Sequence, residues 1–406
     1  MKVRKSNWFL LFGANFLGIF NDNFLKYLLI FVAVTWDLPS WLSQSQLIAA
    51  ISGALVLPYL ILSPLAGKIT VKYHKQKVFS IMKLLEIPVL LLAVAGFWCQ
   101  NIVLGLLAVL FMGILSCLYS PAKYSLIKDI GGEEQLSFGS GMIEAMAFAG
   151  ILLGTVTASW VSDHYAFALM FPILILVGCL GYLAVRFLKV REATIDDSLN
   201  STSNLIRFIN DTHRIIKPYP LLHQAMIYYA IFWLLGGVLQ MNLVLHCKTA
   251  LQCSNTVTGI VTAMAAIGVI SGCLAAGKVI SKTNHLKIAA FGVSGIIVAL
   301  LVVIFGHLSV ISFAAAIFVI AFSGGFLQVP SLVLVQQNDL GRKIGDVMAY
   351  LNWLTFVYVL VGTVLFSIIA FLTNDNSIAI FIMLCVVAIL TLGSILYNIN
   401  RKRRYM

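Results

Sequence analysis

Ala66-Gly67-Lys68-Ile69-Thr70-Val71-Lys72 is answered further along the chain by Ala276-Gly277-Lys278-Val279-Ile280-Ser281-Lys282, and Lys77 and Lys287 fall in register downstream of the two copies. Each copy follows a long apolar run and opens a basic connection. A stretch that returns in an equivalent place says that the chain is built twice, from two related sets of apolar runs. Outward from the two copies such runs recur along the whole sequence, separated by short polar breaks. They predict membrane spans at residues 8–35, 46–67, 78–98, 102–127, 140–161 and 165–188, then at 221–245, 256–279, 288–305, 308–335, 344–372 and 377–399. Each is long enough to cross about 30 Å of hydrocarbon.

Composition agrees. Of the 406 residues 61% are hydrophobic and only 10% charged, where a soluble domain carries about 25% charged. The mean hydropathy of +0.98 leaves too little polar surface to cover a water-exposed globule. A soluble enzyme and a free-standing nucleic-acid binder are excluded. The net charge of +12 has a membrane reading instead. Lys2, Arg4 and Lys5 lie on one side, and every second connection repeats the bias through Lys68 to Lys77, Lys128, Arg186 to Lys217, Lys278 to Lys287, Arg342 and Lys343, and Arg401 to Arg404. Only Lys248 lies in the alternate connections, and Lys26, Lys83 and Lys123 are embedded. By the positive-inside rule the basic face is cytoplasmic and both termini are inside, which requires an even number of spans. The first apolar run is too long for a signal peptide, carries Asn15 and Asn21-Asp22-Asn23, and lacks a small-residue cleavage site, so it reads as a retained span.

The chain is therefore expected to be an all-α membrane protein of twelve transmembrane helices in two six-helix bundles, residues 1–188 and 221–406, joined by a cytoplasmic linker at 189–220. Within the linker Leu205, Ile206, Ile209, Ile215 and Ile216 fall near one side of a helix at 204–217. That helix lies on the inner membrane surface or simply tethers the halves; the tether is the plainer reading. Six plus six spans related in parallel resemble the major facilitator transporters, whose substrate sites lie near the midplane between halves. The superfamily resemblance implies that spans one, four, seven and ten line the cavity. It also places an Asp in the loop motif where this chain has Val71.

An ionisable group inside a span is costly and marks a functional site or its gate. The first half has Asp22, Lys26, Lys83, Glu86, Lys123 and Glu144, whereas the second half's spans offer neutral groups such as Gln240, Asn242, Gln328 and Asn352. One charged wall and one apolar wall suit an amphiphile better than a sugar. Lys26 lies one turn beyond Asp22 on the same helix face. Lys83 and Glu86, three apart, read as a structural ion pair on a peripheral helix. Lys123 and Glu144 share a depth and form a natural pair, and Lys123 is read either as an inner gate or as a phosphate-binding cation. For Asp22 a substrate or gating role stands ahead of an ion pair that locks the first helix.

Phe20-Asn21-Asp22-Asn23-Phe24-Leu25-Lys26 and Tyr119-Ser120-Pro121-Ala122-Lys123-Tyr124 resemble signatures of the bacterial lysophospholipid transporter family. Gly141-Met142-Ile143-Glu144-Ala145 with Gly154, and Gly324-Gly325-Phe326 with Val329-Pro330 and Gln336, resemble that family's fifth and tenth spans. The resemblance implies alternating access that moves lysophosphatidylethanolamine and lysophosphatidylglycerol from the outer to the inner leaflet of the bacterial inner membrane. A cytoplasmic acyltransferase–acyl carrier protein synthetase would re-acylate them there. It also implies that Asp22, Asn23, Lys26, Lys123, Tyr124, Glu144 and Gln240 bind substrate or gate the path. Gln240 stands where the family's basic partner in span seven would be, which leaves Lys26 to partner Asp22; Leu332 and Ser125 are further departures.

Pro58, Pro64, Pro88, Pro121, Pro172 and Pro330 fall in spans or at their ends, where membrane helices tolerate them. The seven cysteines and seven histidines show no metal spacing, and no Gly-rich phosphate loop appears, so neither cofactor nor ATP is expected. Cys247 and Cys253 fall in a predicted outer loop that permits a disulfide; the unbridged pair is the reading preferred. Among alternatives, a general efflux or solute permease of the same superfamily comes second. A membrane acyltransferase comes third, since no His is followed by Asp at the H-x-x-x-x-D spacing.

Overall fold

The computed structural model describes residues 5–33, 36, 44–164, 167–192, 204–253, 255–280, 285–306 and 308–404. Among them are thirteen α-helices and one 3-10 turn at Gly341–Lys343, and no strand. Lys2, Arg4 and Lys282, which carry part of the charge argument, lie outside the described residues.

The first six helices are α1 (Lys5–Ala33), α2 (Gln44–Lys72), α3 (Lys75–Trp98), α4 (Ile102–Gly131), α5 (Leu136–His164) and α6 (Phe167–Arg186). After the short α7 (Leu205–Ile216) come α8 (Pro220–Thr249), α9 (Asn255–Val279), α10 (His285–Phe305), α11 (Val310–Gln336), α12 (Ile344–Leu372) and α13 (Ser377–Arg404). Twelve of these, all except α7, are long and apolar enough to cross a membrane. Most of them outrun the apolar segments that predict them, α12 matching its segment and α6 falling short of it, because hydrophobicity marks only the crossing and the backbone stays helical until something caps it. Thus α2 carries the Ala66–Lys72 motif as its last turns rather than releasing it as a loop. Further on, α4 ends at Gly132, whose φ of 63° suits a residue without Cβ and whose N–H donates to the Lys128 carbonyl.

The inner helices separate from the outer ones by burial. In α1, α4, α8 and α11 the most apolar stretch is 56% buried, against 17% in α12. Their packing repeats as the sequence does. In the first set α4 packs on α2 and α3, α6 on α3 and α1, and α1 on α4; in the second α11 packs on α9 and α10, α13 on α10 and α8, and α8 on α11. Each of these contacts in the first set has its counterpart seven helices later.

The chain divides into two compact units whose borders do not follow the linker. Unit 1 comprises residues 1–132, 149–215 and 339–353; unit 2 comprises 133–148, 216–338 and 354–406. The first part of α5 therefore packs with the second set of helices, where Gly141 lies against Cys273 and Gly277 of α9. Reciprocally, the first part of α12 packs with the first set, where Gly345 lies against Thr70 and Val71 of α2. Unit 1 has a core of Phe24, Leu28, Leu29, Leu90, Val109 and Met112 among others.

Helix α7 is docked on protein. Phe208, Thr212 and Ile216 are buried, whereas Ile206 is 73% exposed, and Phe208 packs beside Tyr350 of α12. The buried stripe is thus the i, i+4, i+8 row through Phe208 and Ile216, flanked by half-buried Leu205, Ile209 and Ile215, so the apolar side that the sequence marks is the docked one and only Ile206 leaves it.

Candidate functional site

In unit 1 the buried charges converge on the turn of α4 that carries Ser116 and Tyr119. Asp22 of α1 is buried among apolar neighbours, and its Oδ2 accepts a hydrogen bond from Ser116 Oγ at 2.7 Å. Its Oδ1 is buried too and has no hydrogen-bond partner among the described residues. A half-satisfied buried carboxylate is costly. Such an oxygen marks a place where a donor from outside is favourable.

Lys83 and Glu86 of α3 stand beside this turn. The ammonium donates to both carboxylate oxygens, at 2.6 and 2.9 Å, and both side chains are sealed, at 0% and 1% exposure. The pair does not sit on the outer face of α3. Lys83 Nζ lies 4.7 Å from the centre of the Tyr119 ring, itself stacked on Phe79. The Lys83 ammonium also lies so close to α1 that a Cβ at Gly18 would overlap it. Turning both charges inward keeps them out of lipid, where each would be expensive.

Further along α4, Lys123 is buried at 6% exposure. Its Nζ lies 4.7 Å from the Tyr124 ring and 5.9 Å from the Tyr119 ring. Aromatic faces of this kind stabilise a desolvated cation. Ser116, Tyr119 and Lys123 share one face of α4, and Lys123 stands about 10 Å from Ser116 along the axis at 1.5 Å per residue. Between them Ser120 Oγ accepts from Asn352 Nδ2 of α12 at 2.9 Å.

The other expected residues of α1 do not join Asp22. Asn23 Nδ2 donates back to the Ile19 carbonyl of its own helix, and Asn21 Nδ2 donates to the Leu174 carbonyl of α6. Lys26 places its Nζ 4.9 Å from the Tyr27 ring, and no Asp22–Lys26 ion pair occurs among the described residues. Shared helix face is not enough: Asp22 reaches sideways to α4, while Lys26 turns toward the adjacent aromatic.

Unit 2 has a second buried cluster. Glu144, 0% exposed, accepts from Tyr229 Oη of α8 and from Gln328 Nε2 of α11, both at 2.8 Å. Gln328 Oε1 in turn accepts from Cys273 Sγ of α9 at 3.4 Å. Three helices thus meet at one carboxylate, and a fourth, α9, joins through Gln328. On α8, one and two turns beyond Trp233, on which Phe148 stacks, Gly236 and Gln240 are exposed.

Sequence reading alone misses Ser116, Tyr229 and Cys273 as partners. Ser116 and Tyr229 lie in apolar runs where one hydroxyl carries no signal, whereas Tyr119 stands in a quoted motif and Gln328 among the noted neutral groups. Among the described residues no group of His, Cys, Asp and Glu could hold a metal ion.

Comparison with known proteins fits this architecture. The chain is similar to the lysophospholipid transporter LplT of Yersinia pestis (strain Pestoides F), 28% identical over 328 residues that cover 80% of this chain and 77% of the relative. The protein of the same name from Yersinia pseudotuberculosis serotype O:3 (strain YPIII) matches to the same extent. Among solved structures, the E. coli fucose:proton symporter FucP superposes with a TM-score of 0.76 at 13% identity, over 97% of this chain and 99% of that one. The human organic anion transporter MFSD10 superposes with a TM-score of 0.75 at 14% identity, over 96% and 99%. Likeness at that identity concerns the fold alone. Residues 10–363 match the model of the Major Facilitator Superfamily. With twelve helices long and apolar enough to cross a membrane, this chain is a multi-pass membrane transporter and belongs to that superfamily.

Proposed function

We propose that this transporter carries lysophospholipids, such as lysophosphatidylethanolamine and lysophosphatidylglycerol, from the outer to the inner leaflet of a bacterial inner membrane by alternating access. A cytoplasmic acyltransferase–acyl carrier protein synthetase then re-acylates them. The observation that carries the reading is the Asp22 carboxylate, buried beside Ser116 with Oδ1 unsatisfied, in a unit that also buries Lys123 against two tyrosine rings. A lysophospholipid offers a phosphate, a glycerol hydroxyl and one acyl chain. Moving its charged head through hydrocarbon costs many kcal/mol, while the chain passes from lipid to an apolar protein wall at almost no cost.

A head group therefore needs a polar path, and the chain needs only apolar surroundings. Asp22 Oδ1 accepts from the ethanolamine ammonium or the glycerol hydroxyl, and Lys123 or Lys26 meets the phosphate. Likeness to the lysophospholipid transporters supports this choice over a sugar or a drug. The test is reconstitution of the purified protein in liposomes with fluorescent lysophosphatidylethanolamine in the outer leaflet. The intact protein moves it inward, and Asp22→Asn abolishes the movement while the protein stays folded. Full activity in that variant refutes the assignment.

A further inference from the structure

Away from the buried charges, α3 and α6 enclose a groove of about 220 Å³ at the basic end of unit 1. Lys77, Ser80, Tyr182 and Arg186 line it, together with Ile81 and Leu84 on the exposed face of α3. The spacing follows from the helices: residues 77, 80, 81 and 84 share one face of α3, and 182 and 186 are one turn apart on α6. Among the described residues no carboxylate lines it. Neither Lys77 nor Arg186 has an ion pair among the described residues. The acid close by, Glu192, is committed elsewhere: its two oxygens accept from the backbone N–H groups of Lys75 and Gln76 at 2.7 and 2.8 Å and so cap α3.

We propose that this groove binds the head group of an anionic diacyl phospholipid resident in the adjoining leaflet. Two cations lining one groove, with no ion pair among the described residues, match a phosphodiester. At about 220 Å³ the groove is smaller than the ~300–1,000 Å³ of a site that encloses a whole small molecule. It admits a head group and leaves the chains outside, where Ile81 and Leu84, 42% and 46% exposed, provide an apolar track. Basic pockets between transmembrane helices recognise acidic lipid heads in this way. The site is separate from the Asp22 cluster, since Lys83 and Glu86 occupy the opposite, inward face of the same helix. It concerns a bound lipid, not the transported one.

The test uses the purified full chain, delipidated in detergent and titrated with phosphatidylglycerol, with phosphatidylcholine of the same chains, and with inorganic phosphate, while native mass spectrometry counts bound molecules. The intact protein retains one phosphatidylglycerol that phosphatidylcholine does not replace and inorganic phosphate does not displace. The double variant Lys77→Gln/Arg186→Gln weakens that binding about tenfold or more, given roughly 1 kcal/mol per basic residue at an acidic head group. A control of equal charge change, Lys278→Gln/Lys287→Gln, leaves it intact. Equal loss in both double variants, or none in the first, overturns the proposal, as does displacement by inorganic phosphate. All four side chains are exposed, so folding is preserved, and the single variants Lys77→Gln and Arg186→Gln each give a partial loss. Lysolipid movement in liposomes is read separately, so its failure does not bear on the groove.

Discussion

At the scale of single residues the decisive energy is that of charges removed from both water and lipid. Lys83 and Glu86 satisfy one another at 2.6 Å in a fully sealed position. Glu86→Gln leaves the ammonium uncompensated, and breaking a buried pair from one side costs about 3–5 kcal/mol. The variant should unfold at a clearly lower temperature in detergent micelles. Lys83→Met/Glu86→Met removes both charges at similar volume and should recover most of that loss. A double variant as unstable as the single one would show that the pair serves more than its own neutralisation. The pair was legible in the sequence from its i, i+3 spacing, and Asp22 from its place in an apolar run. What spacing did not carry was direction. Lys26 shares a helix face with Asp22, yet Ser116 of another helix holds the carboxylate, because partner choice depends on which side chains the neighbouring helix presents at that height.

At the scale of elements, hydrophobicity located all twelve crossing helices but not their ends or their exposed sides. A span that is apolar all round offers no stripe to say which face meets lipid. Short α7 is the opposite case, since it is amphipathic and its stripe does show a buried side, though not what covers it. Its apolar side fits a membrane surface or a protein one, and it docks on protein through Phe208, Thr212 and Ile216. One aromatic side chain buried against Tyr350 outweighs several aliphatic ones that remain half-exposed. Phe208→Ala should therefore free this helix. Truncating a well-buried Phe costs about 3–5 kcal/mol, more than a twelve-residue helix recovers by itself. Hydrogen exchange at 205–216 should rise to the level of an open segment, while the crossing helices keep their protection. Unchanged protection would mean that Thr212 and Ile216 suffice to hold it.

At the scale of the whole molecule the repeat at Ala66 and Ala276 announced two related sets of helices, and the packing of α1, α2, α3, α4 and α6 recurs in α8, α9, α10, α11 and α13. The repeat could not announce that each unit contains a piece of a helix from the other half of the chain. Residues 133–148 pack with the second set and 339–353 with the first, through approaches as close as Gly141 to Gly277 and Gly345 to Thr70. Hydropathy is silent on this, because lipid and protein interior are equally apolar partners and small residues at a helix contact leave no mark in an average. The exchange has a consequence for a chain cut in the connecting segment at 193–203. Two independent domains would separate; here each fragment lacks a packed segment that the other supplies. Co-expressed as residues 1–192 and 204–406, with an affinity tag on one, the fragments should co-purify from detergent in equal amounts. Gly141→Leu together with Gly345→Leu should abolish the association by filling both contacts. Recovery of the tagged fragment alone, without the substitutions, would show that the two shared helices contribute nothing to holding the chain together.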